Sequence, residues 1–380
     1  MSRGKNVKIV AAGHICLDIT PAFQNAPAER IGDLLKPGTL IETGTADVHI
    51  GGSIANTGLG LKVLGADVTL MGKIGKDAFG IIVKEQIGEY VSTEHMIESA
   101  DENTSYSVVV APKGIDRIFL HCPGANDTFS AEDPDYDIIK KADLFHFGYP
   151  PLMKTMFRNN AEELVRMYRK VSEMGVATSL DMAAVDEQAE SGQADWESIL
   201  QCVLPYVDFF VPSVEELAFM IDRPMFEGWT KRADGRDLTE VIRLDEIESL
   251  ADTLISWGAG VVLIKCGTPG LYLAGGSREA MQKLGSEIGV DMTEWADVRH
   301  FEKSYTPEKV LSATGAGDTT IAAFLYAALL GYTWKECVQL ATAEGATCVE
   351  TYDAISGLRT LDVLMSRIRA GWKKQDLLAE

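Results

Sequence analysis

Thr314-Gly315-Ala316-Gly317-Asp318-Thr319-Thr320-Ile321-Ala322-Ala323-Phe324-Leu325 is a glycine-rich turn that runs straight into an apolar helical stretch. Glycines let a backbone approach a ligand closely. The first N–H groups of a helix lack internal acceptors, and the helix dipole makes them an anion site. Asp318 falls in that first turn, beside any anion held there. A carboxylate so placed can take the proton of an attacking hydroxyl while the N–H groups stabilise a phosphoryl group in transfer. The same residues also read as an ordinary helix start with an acidic first turn, so the rest of the chain has to decide.

Working outward, a second glycine turn stands at His49-Ile50-Gly51-Gly52-Ser53-Ile54-Ala55-Asn56. Paired glycines before a small-residue helix with one amide suit the binding of hydroxyls, and suit a tight strand–helix turn equally. Around both turns, short β-rich runs alternate with longer helical patterns. Residues 7–12, 68–70, 144–147, 177–180, 209–211 and 261–265 read as strands, and residues 54–64, 79–90, 153–174 and 244–257 as helices. This alternation predicts an α/β fold with a mostly parallel sheet between two helical layers, and ligands at the carboxyl ends of the strands. Residues 40–50 and 105–121 break the rhythm as consecutive strands, the latter a hairpin turning at residues 112–116. They predict a small β lid, with segments at about residues 39–50 and 104–124. Residues 222–240 and 275–309 are polar and irregular and read as surface insertions, and the tail after Trp372 is expected to fray.

The chain of 380 residues carries a formal charge of −21, which repels nucleic acid and anionic membrane at long range, so neither is expected as a partner. ATP is not excluded, because phosphate sites rest on local backbone N–H groups. The six cysteines are scattered singly without zinc spacing; four lie in or beside apolar runs and read as small core residues. The start of the chain enters a strand directly without a signal-peptide pattern, and its longest apolar run, near residues 321–330, is too short to span a bilayer. A cytoplasmic protein is expected.

Taken together, these motifs resemble the ribokinase-like (PfkB) family of carbohydrate and nucleoside kinases. Gly51, Gly52, Asn56, Gly65 and Gly75 stand in the order of its N-terminal signature. Gly72-Lys73-Ile74-Gly75-Lys76-Asp77-Ala78-Phe79-Gly80 looks like its G-x-x-G-x-D-x-x-G segment, and residues 312–318 look like its D-T-x-G-A-G-D signature. The likeness covers nearly the whole chain and implies a single ribokinase-like domain, residues 1–380. By this resemblance Asp318 is the catalytic base and Gly315, Ala316 and Gly317 form the anion hole. Asp18, in the match to the family's first strand, binds substrate hydroxyls together with Gly51, Gly52, Asn56 and Asn126, although Asn126 reads equally as a turn residue. Gly267-Thr268-Pro269-Gly270, after the strand ending at Lys265, looks like the nucleotide loop, so Lys265, Gly267 and Gly270 join Ser213 and Ala346 as ATP contacts. Glu216 matches the Glu that organises Mg2+ through water; Glu215 reads as a solvated neighbour and His14 as a packed strand residue.

Four positions depart from the family pattern. Ser213 replaces the Asn of N-x-x-E, Ala183 replaces the Asn of D-x-N after Asp181, and Ser312 replaces the first Asp of the C-terminal signature. The loss of charge at Ser312 makes a monovalent-cation requirement doubtful and predicts weak or absent potassium activation. Gly148 falls where ribose-specific members place a Glu, which argues against strict ribose specificity. Lys113 and Arg117 on the lid read as solvated, so a phosphorylated sugar is disfavoured. The resemblance thus implies transfer of the ATP γ-phosphoryl group to a hydroxyl of a small sugar, fructokinase- or ribokinase-like. A nucleoside substrate stays open, as does a non-catalytic metabolite-binding protein of the same fold. A Rossmann dehydrogenase is discarded, since no G-x-G-x-x-G follows the first strand. A homodimer through the lid is expected, because an uncovered sheet edge invites pairing.

Overall fold

Val261-Val262-Leu263-Ile264 is apolar at every position, the pattern of a strand covered on both faces. The computed structural model, which describes residues 5–23, 30–113 and 118–378, places it mid-sheet. In chain order the strands are β1 (Lys8–Gly13), β2 (Cys16–Pro21), β3 (Ala46–Gly51), β4 (Asp67–Met71), β5 (Lys73–Gly75), β6 (Ile97–Ser99) and β7 (Tyr106–Val110). They continue with β8 (Ile118–Cys122), β9 (Leu144–Gly148), β10 (Ala177–Asp181), β11 (Phe209–Phe210), β12 (Val261–Lys265), β13 (Gly270–Gly275) and β14 (Arg299–Lys303).

The main sheet has the order β14-β13-β12-β11-β10-β9-β1-β4. It is parallel from β4 to β12 and antiparallel at β13 and β14. Alternate residues feed opposite layers. Ile9 and Ala11 of β1 pack into one apolar cluster with Ile321, Phe324 and Leu340, while Val10 and Ala12 pack into the other with Leu164, Met167 and Leu250. The helices Ala316–Leu329 and Trp334–Cys348 cover the first face; Lys154–Glu173 and Leu244–Ser256 cover the second. This is the three-layer α/β/α architecture with a mostly parallel sheet that the sequence predicts.

A second sheet, β3-β2-β7-β8, forms the lid. The strands β7 and β8 pair antiparallel as the hairpin reading required, although residues 114–117 of its turn, Arg117 among them, lie outside the described residues. Four expectations about the elements need correction. Asp18 is not on the first strand: the chain leaves β1 at Gly13 and re-enters extended structure at Cys16, so Asp18 lies in the lid. Residues 40–45 form no strand, and the lid takes only Ala46–Gly51 from that segment. Residues 275–309 are no surface appendage, because they supply the helix Arg278–Ile288 and the edge strand β14. Residues 222–240 are largely the helix Arg223–Ala233.

The expectation that the tail frays also fails for the described residues 373–378. Trp372 stacks on Tyr305 with ring centres 4.8 Å apart, and its indole N–H donates to the Thr306 carbonyl at 2.7 Å. Lys374 pairs with Glu302, and the Gln375 N–H donates to the Ser304 carbonyl at 2.8 Å. The indole stacking, an ion pair and backbone hydrogen bonds together fix a polar segment that composition alone presents as loose. Of the cysteines, Cys16, Cys266, Cys337 and Cys348 are buried and free, in line with the core reading. Among the described residues no helix is long and apolar enough to cross a membrane.

Candidate active site

The helix Ala316–Leu329 begins at Gly315, whose φ of +76° turns the chain into it. A Cβ on Gly315 would sit 2.2 Å from the Ala354 Cβ, so both conformation and space require glycine there. The Ala316 N–H is directed at the Ala313 carbonyl, 3.3 Å away. Helix geometry leaves the N–H groups of Gly317 and Asp318 without intrahelical acceptors.

Asp318 is buried, and three side chains converge on its carboxylate. Tyr149 donates its hydroxyl to Oδ1 at 2.7 Å, Thr57 donates to Oδ1 at 3.1 Å, and the Asn56 amide donates to Oδ2 at 3.2 Å. Burial raises the carboxyl above its ordinary range, while these three donors and Lys265 pull it back. Tyr149 holds its place from a left-handed backbone, φ 70° and ψ 42°, directly after β9. For a bulky residue that conformation is a genuine outlier, of the kind that clusters at functional sites.

Two cavities meet beside this helix start. The larger, about 410 Å³, is lined by Gly267, Thr268 and Gly270 of the glycine loop, by Ala316 and Gly317, and by Gly345, Ala346 and Val349. The smaller, about 280 Å³, is lined by Tyr149, Asp181, Glu216 and Asp318. Ser213, Lys265 and Gly317 border both, so they stand where the two compartments join. The Lys265 ammonium lies 2.7 Å from Asp181 Oδ1 and also donates to the Val211 carbonyl. Burial pushes Asp181 up, to about 8, with Lys265 opposing and Glu216 and Asp318 adding to the push. Burial works against the charge on Lys265, but Asp181, Glu216 and Asp318 outweigh it and keep it protonated.

Glu216 accepts the Ser213 N–H at 2.8 Å and lines the smaller cavity together with Asp181. Among the described residues no group of three or more His, Cys, Asp or Glu side chains is placed to hold a metal alone. Two carboxylates beside a phosphate-sized space fit Mg2+, which keeps several waters and takes substrate phosphates as ligands. Glu215 is not the solvated neighbour expected: it lines the larger cavity, and burial lifts its carboxyl to about 7.

The residues expected to bind substrate gather at the junction of the second sheet and the main sheet. Gly52 (φ +90°) packs against His14, and a Cβ on Gly51 would meet the Asp18 carboxylate at 2.2 Å. Asn56 touches Asp318 itself, so it reaches the reacting end of the site. Asn126 is fully buried with its amide engaged twice by Ile15, accepting the backbone N–H at 3.2 Å and donating to the carbonyl at 2.9 Å. That assigns it to positioning the β1–β2 connection rather than to substrate contact.

Several site residues escaped the sequence reading. Thr57 directly follows Asn56, and Tyr149 follows Gly148 at a strand end, positions where ligands of α/β sheets gather. Asp237, Thr239, Ser304 and Gln375 also line the larger cavity, from segments read as insertions or a loose tail. Nothing in their local sequence signals this, because tertiary packing brings them there.

A helix start that holds a buried carboxylate where two cavities join, the larger lined by a glycine loop, has the layout of a phosphotransferase. Residues 9–361 match the pfkB family of carbohydrate kinases, and the chain belongs to that family. It is 28% identical to an uncharacterized sugar kinase of Archaeoglobus fulgidus, over 80% of this chain and 100% of that protein. It is 23% identical to the 5-dehydro-2-deoxygluconokinase of Clostridium beijerinckii, over 97% of this chain and 94% of that one. In structure it is similar to the Arabidopsis thaliana ribokinase complexed with ribose and ATP. The TM-score is 0.70 and the identity 19%, covering 95% of this chain and 98% of the other.

Proposed function

We propose that this sugar kinase transfers the γ-phosphoryl group of ATP to a primary hydroxyl of a small uncharged sugar, with Asp318 as general base. The observation that carries the reading is the position of Asp318 in the smaller cavity, one residue from Gly317, which borders both. ATP lies along Gly267–Gly270 with its base against Gly345, Ala346 and Val349, where small side chains leave room for a flat ring. Its γ-phosphoryl group meets the Gly317 and Asp318 N–H groups and the Lys265 ammonium. Asp318 takes the proton of the substrate hydroxyl, which attacks in line. Asp18 and the Gly51-Gly52 turn hold the remaining hydroxyls, and closure of the lid excludes water. Bound Mg2+ neutralises charge on the phosphates, and Glu216 and Asp181 would hold its waters. The ATP requirement fits a cytoplasmic setting.

The test is ATP consumption against a panel of sugars and nucleosides with Mg2+, beside Asp318→Asn. Turnover on a sugar that vanishes in the variant is the expected result; turnover confined to nucleosides replaces the substrate class. Titration of potassium in the same assay is expected to raise turnover less than about tenfold, about 1.4 kcal/mol of barrier. Ser312, whose hydroxyl accepts the Thr314 N–H at 3.1 Å, brings no charge to the anion hole. A larger rise rejects the argument from Ser312.

We assign the lid edge to a homodimer contact. β8 ends the lid sheet and exposes Ile118, Phe119 and Leu120, three consecutive apolar residues on an unpaired edge. Sedimentation is expected to give a dimer that Phe119→Glu splits; a wild-type monomer rejects the assignment.

A further inference from the structure

The lid carries a transverse row of polar side chains that the reaction above does not use in full. Asp18 of β2 stands opposite His49 of β3 and Ser107 of β7, and Ser107 stands opposite His121 of β8. Residues directly opposite one another share a face of the sheet, so His49, Asp18, Ser107 and His121 form one stripe. The Ser107 hydroxyl and His121 Nδ1 are 3.0 Å apart, and the Cys16 thiol donates to Asp18 Oδ1 at 3.3 Å.

His14 faces this stripe from the floor. Its ring centre lies 5.4 Å from that of His121 and 6.0 Å from that of Tyr149, whose hydroxyl holds the Asp318 carboxylate. His14 therefore sits between the lid row and the catalytic base. It is 2% exposed, and neither ring nitrogen has a hydrogen-bond partner among the described residues. A buried polar atom without a partner costs about 1–3 kcal/mol, and an apolar side chain at this position would avoid that cost. The position is thus the one expected of a group whose partner arrives with the substrate.

The chemistry of the row narrows that partner. Burial pushes His14 down to about 3, and burial likewise pushes His121 down, against the pull of Asp18 and Asp127. His14 as a neutral imidazole offers one N–H donor and one lone pair, the complement of a hydroxyl group, while His121, its Nδ1 engaged with Ser107, offers Nε2 alone. The stripe holds a carboxylate and no lysine or arginine, so a carboxylate or phosphate on the substrate would meet Asp18 without a counter-ion.

We propose that His14 and His121 are specificity-determining residues that read neighbouring hydroxyls of an uncharged sugar, His14 from the floor of the cleft and His121 from the lid. The proposal rests on the sugar-kinase reading and deepens it by naming what the cleft recognises.

The test uses the full chain with Mg·ATP and four probes: D-ribose, D-fructose, adenosine and D-gluconate. Wild-type protein is expected to turn over a neutral sugar in preference to D-gluconate. On that sugar, His14→Leu and His121→Leu are each expected to raise KM by about tenfold, the scale of one lost hydrogen bond, and by more than they lower kcat. His14→Gln, which keeps a donor and an acceptor, recovers most of the loss, a rescue that a purely packing role would not give. His121 lies at the solvent edge of the lid, so its variant keeps the question open to test if His14→Leu does not fold. Wild-type turnover of a neutral sugar with KM unchanged in both leucine variants overturns this inference alone, whereas a preference for D-gluconate overturns it together with the uncharged-sugar part of the proposed function. Wild-type failure on every probe overturns the sugar-kinase reading and this inference with it.

Discussion

Asp318→Asn lowers kcat by about 10²–10⁴-fold, the usual contribution of a positioned general base, and leaves ATP binding largely unchanged. The asparagine is nearly isosteric, and its amide oxygen still accepts from Tyr149 and Thr57, which sit at 2.7 and 3.1 Å from Oδ1 in the wild type. The helix start and the larger cavity are untouched, so a nucleotide titration and a thermal melt serve as controls. A variant that keeps near-wild-type turnover would falsify the base assignment. The pH profile of the wild type carries the same information from another side. Burial raises Asp318 above the ordinary carboxylate range, so the rate rises with pH through a midpoint above that range. Tyr149 supplies the largest opposing pull, and Tyr149→Phe is therefore expected to move the midpoint further up. The loss of rate in that variant is largest at acid pH and shrinks as pH rises past the new midpoint. A midpoint that stays in place separates Tyr149 from the base.

The fold was legible because its signals are local and redundant. Val261–Lys265 reads as a strand from its own apolar run, and the structure reproduces its bounds. The turn Gly315–Asp318 is legible for the same reason: glycines, a carboxylate and the helix they start are contiguous. Less legible were features made by one residue meeting another far along the chain. Lys265 reads as the end of a strand and, by the resemblance, as an ATP contact, yet its partner Asp181 is 84 residues away and only the structure shows their 2.7 Å contact. Asn126 carries a motif-like setting, but its amide is occupied by Ile15, 111 residues earlier. The tail misled for a related reason. Its polarity predicts fraying, whereas Trp372 stacks on Tyr305 and Gln375, bonded to the Ser304 carbonyl, lines the larger cavity. A histidine at a strand end, such as His14, reads as a packed residue; only the unpaired state of both nitrogens distinguishes it.

Lys265→Met is the second substitution with a large expected effect, and it acts on both stability and rate. Lys265 brings one buried ammonium to three carboxylates, Asp181, Glu216 and Asp318. Removing one partner of a buried pair costs about 3–5 kcal/mol, because the remaining charge is left without compensation. That loss is expected in chemical unfolding at about pH 8, where the carboxylates demand a counter-charge. Its dependence on pH has a definite sign. The folded Asp181 carboxyl is already raised to about 8 by burial, far above the unfolded value of about 3.9. Within that window the folded chain holds a proton that the unfolded chain has released, so stability falls as pH rises. Without Lys265 the folded carboxyl rises further and the window extends upward. The deficit of the variant is therefore small near pH 5 and grows toward alkaline pH. Asp181→Asn in the Lys265→Met background removes the orphaned charge and is expected to recover much of the stability. Turnover is not expected to return, because the ammonium proposed to face the γ-phosphoryl group is still missing. Recovery of both would reduce Lys265 to a counter-ion for Asp181. Recovery of stability alone places it on the transferring phosphoryl group, as the only side chain besides Ser213 that borders both cavities among the described residues.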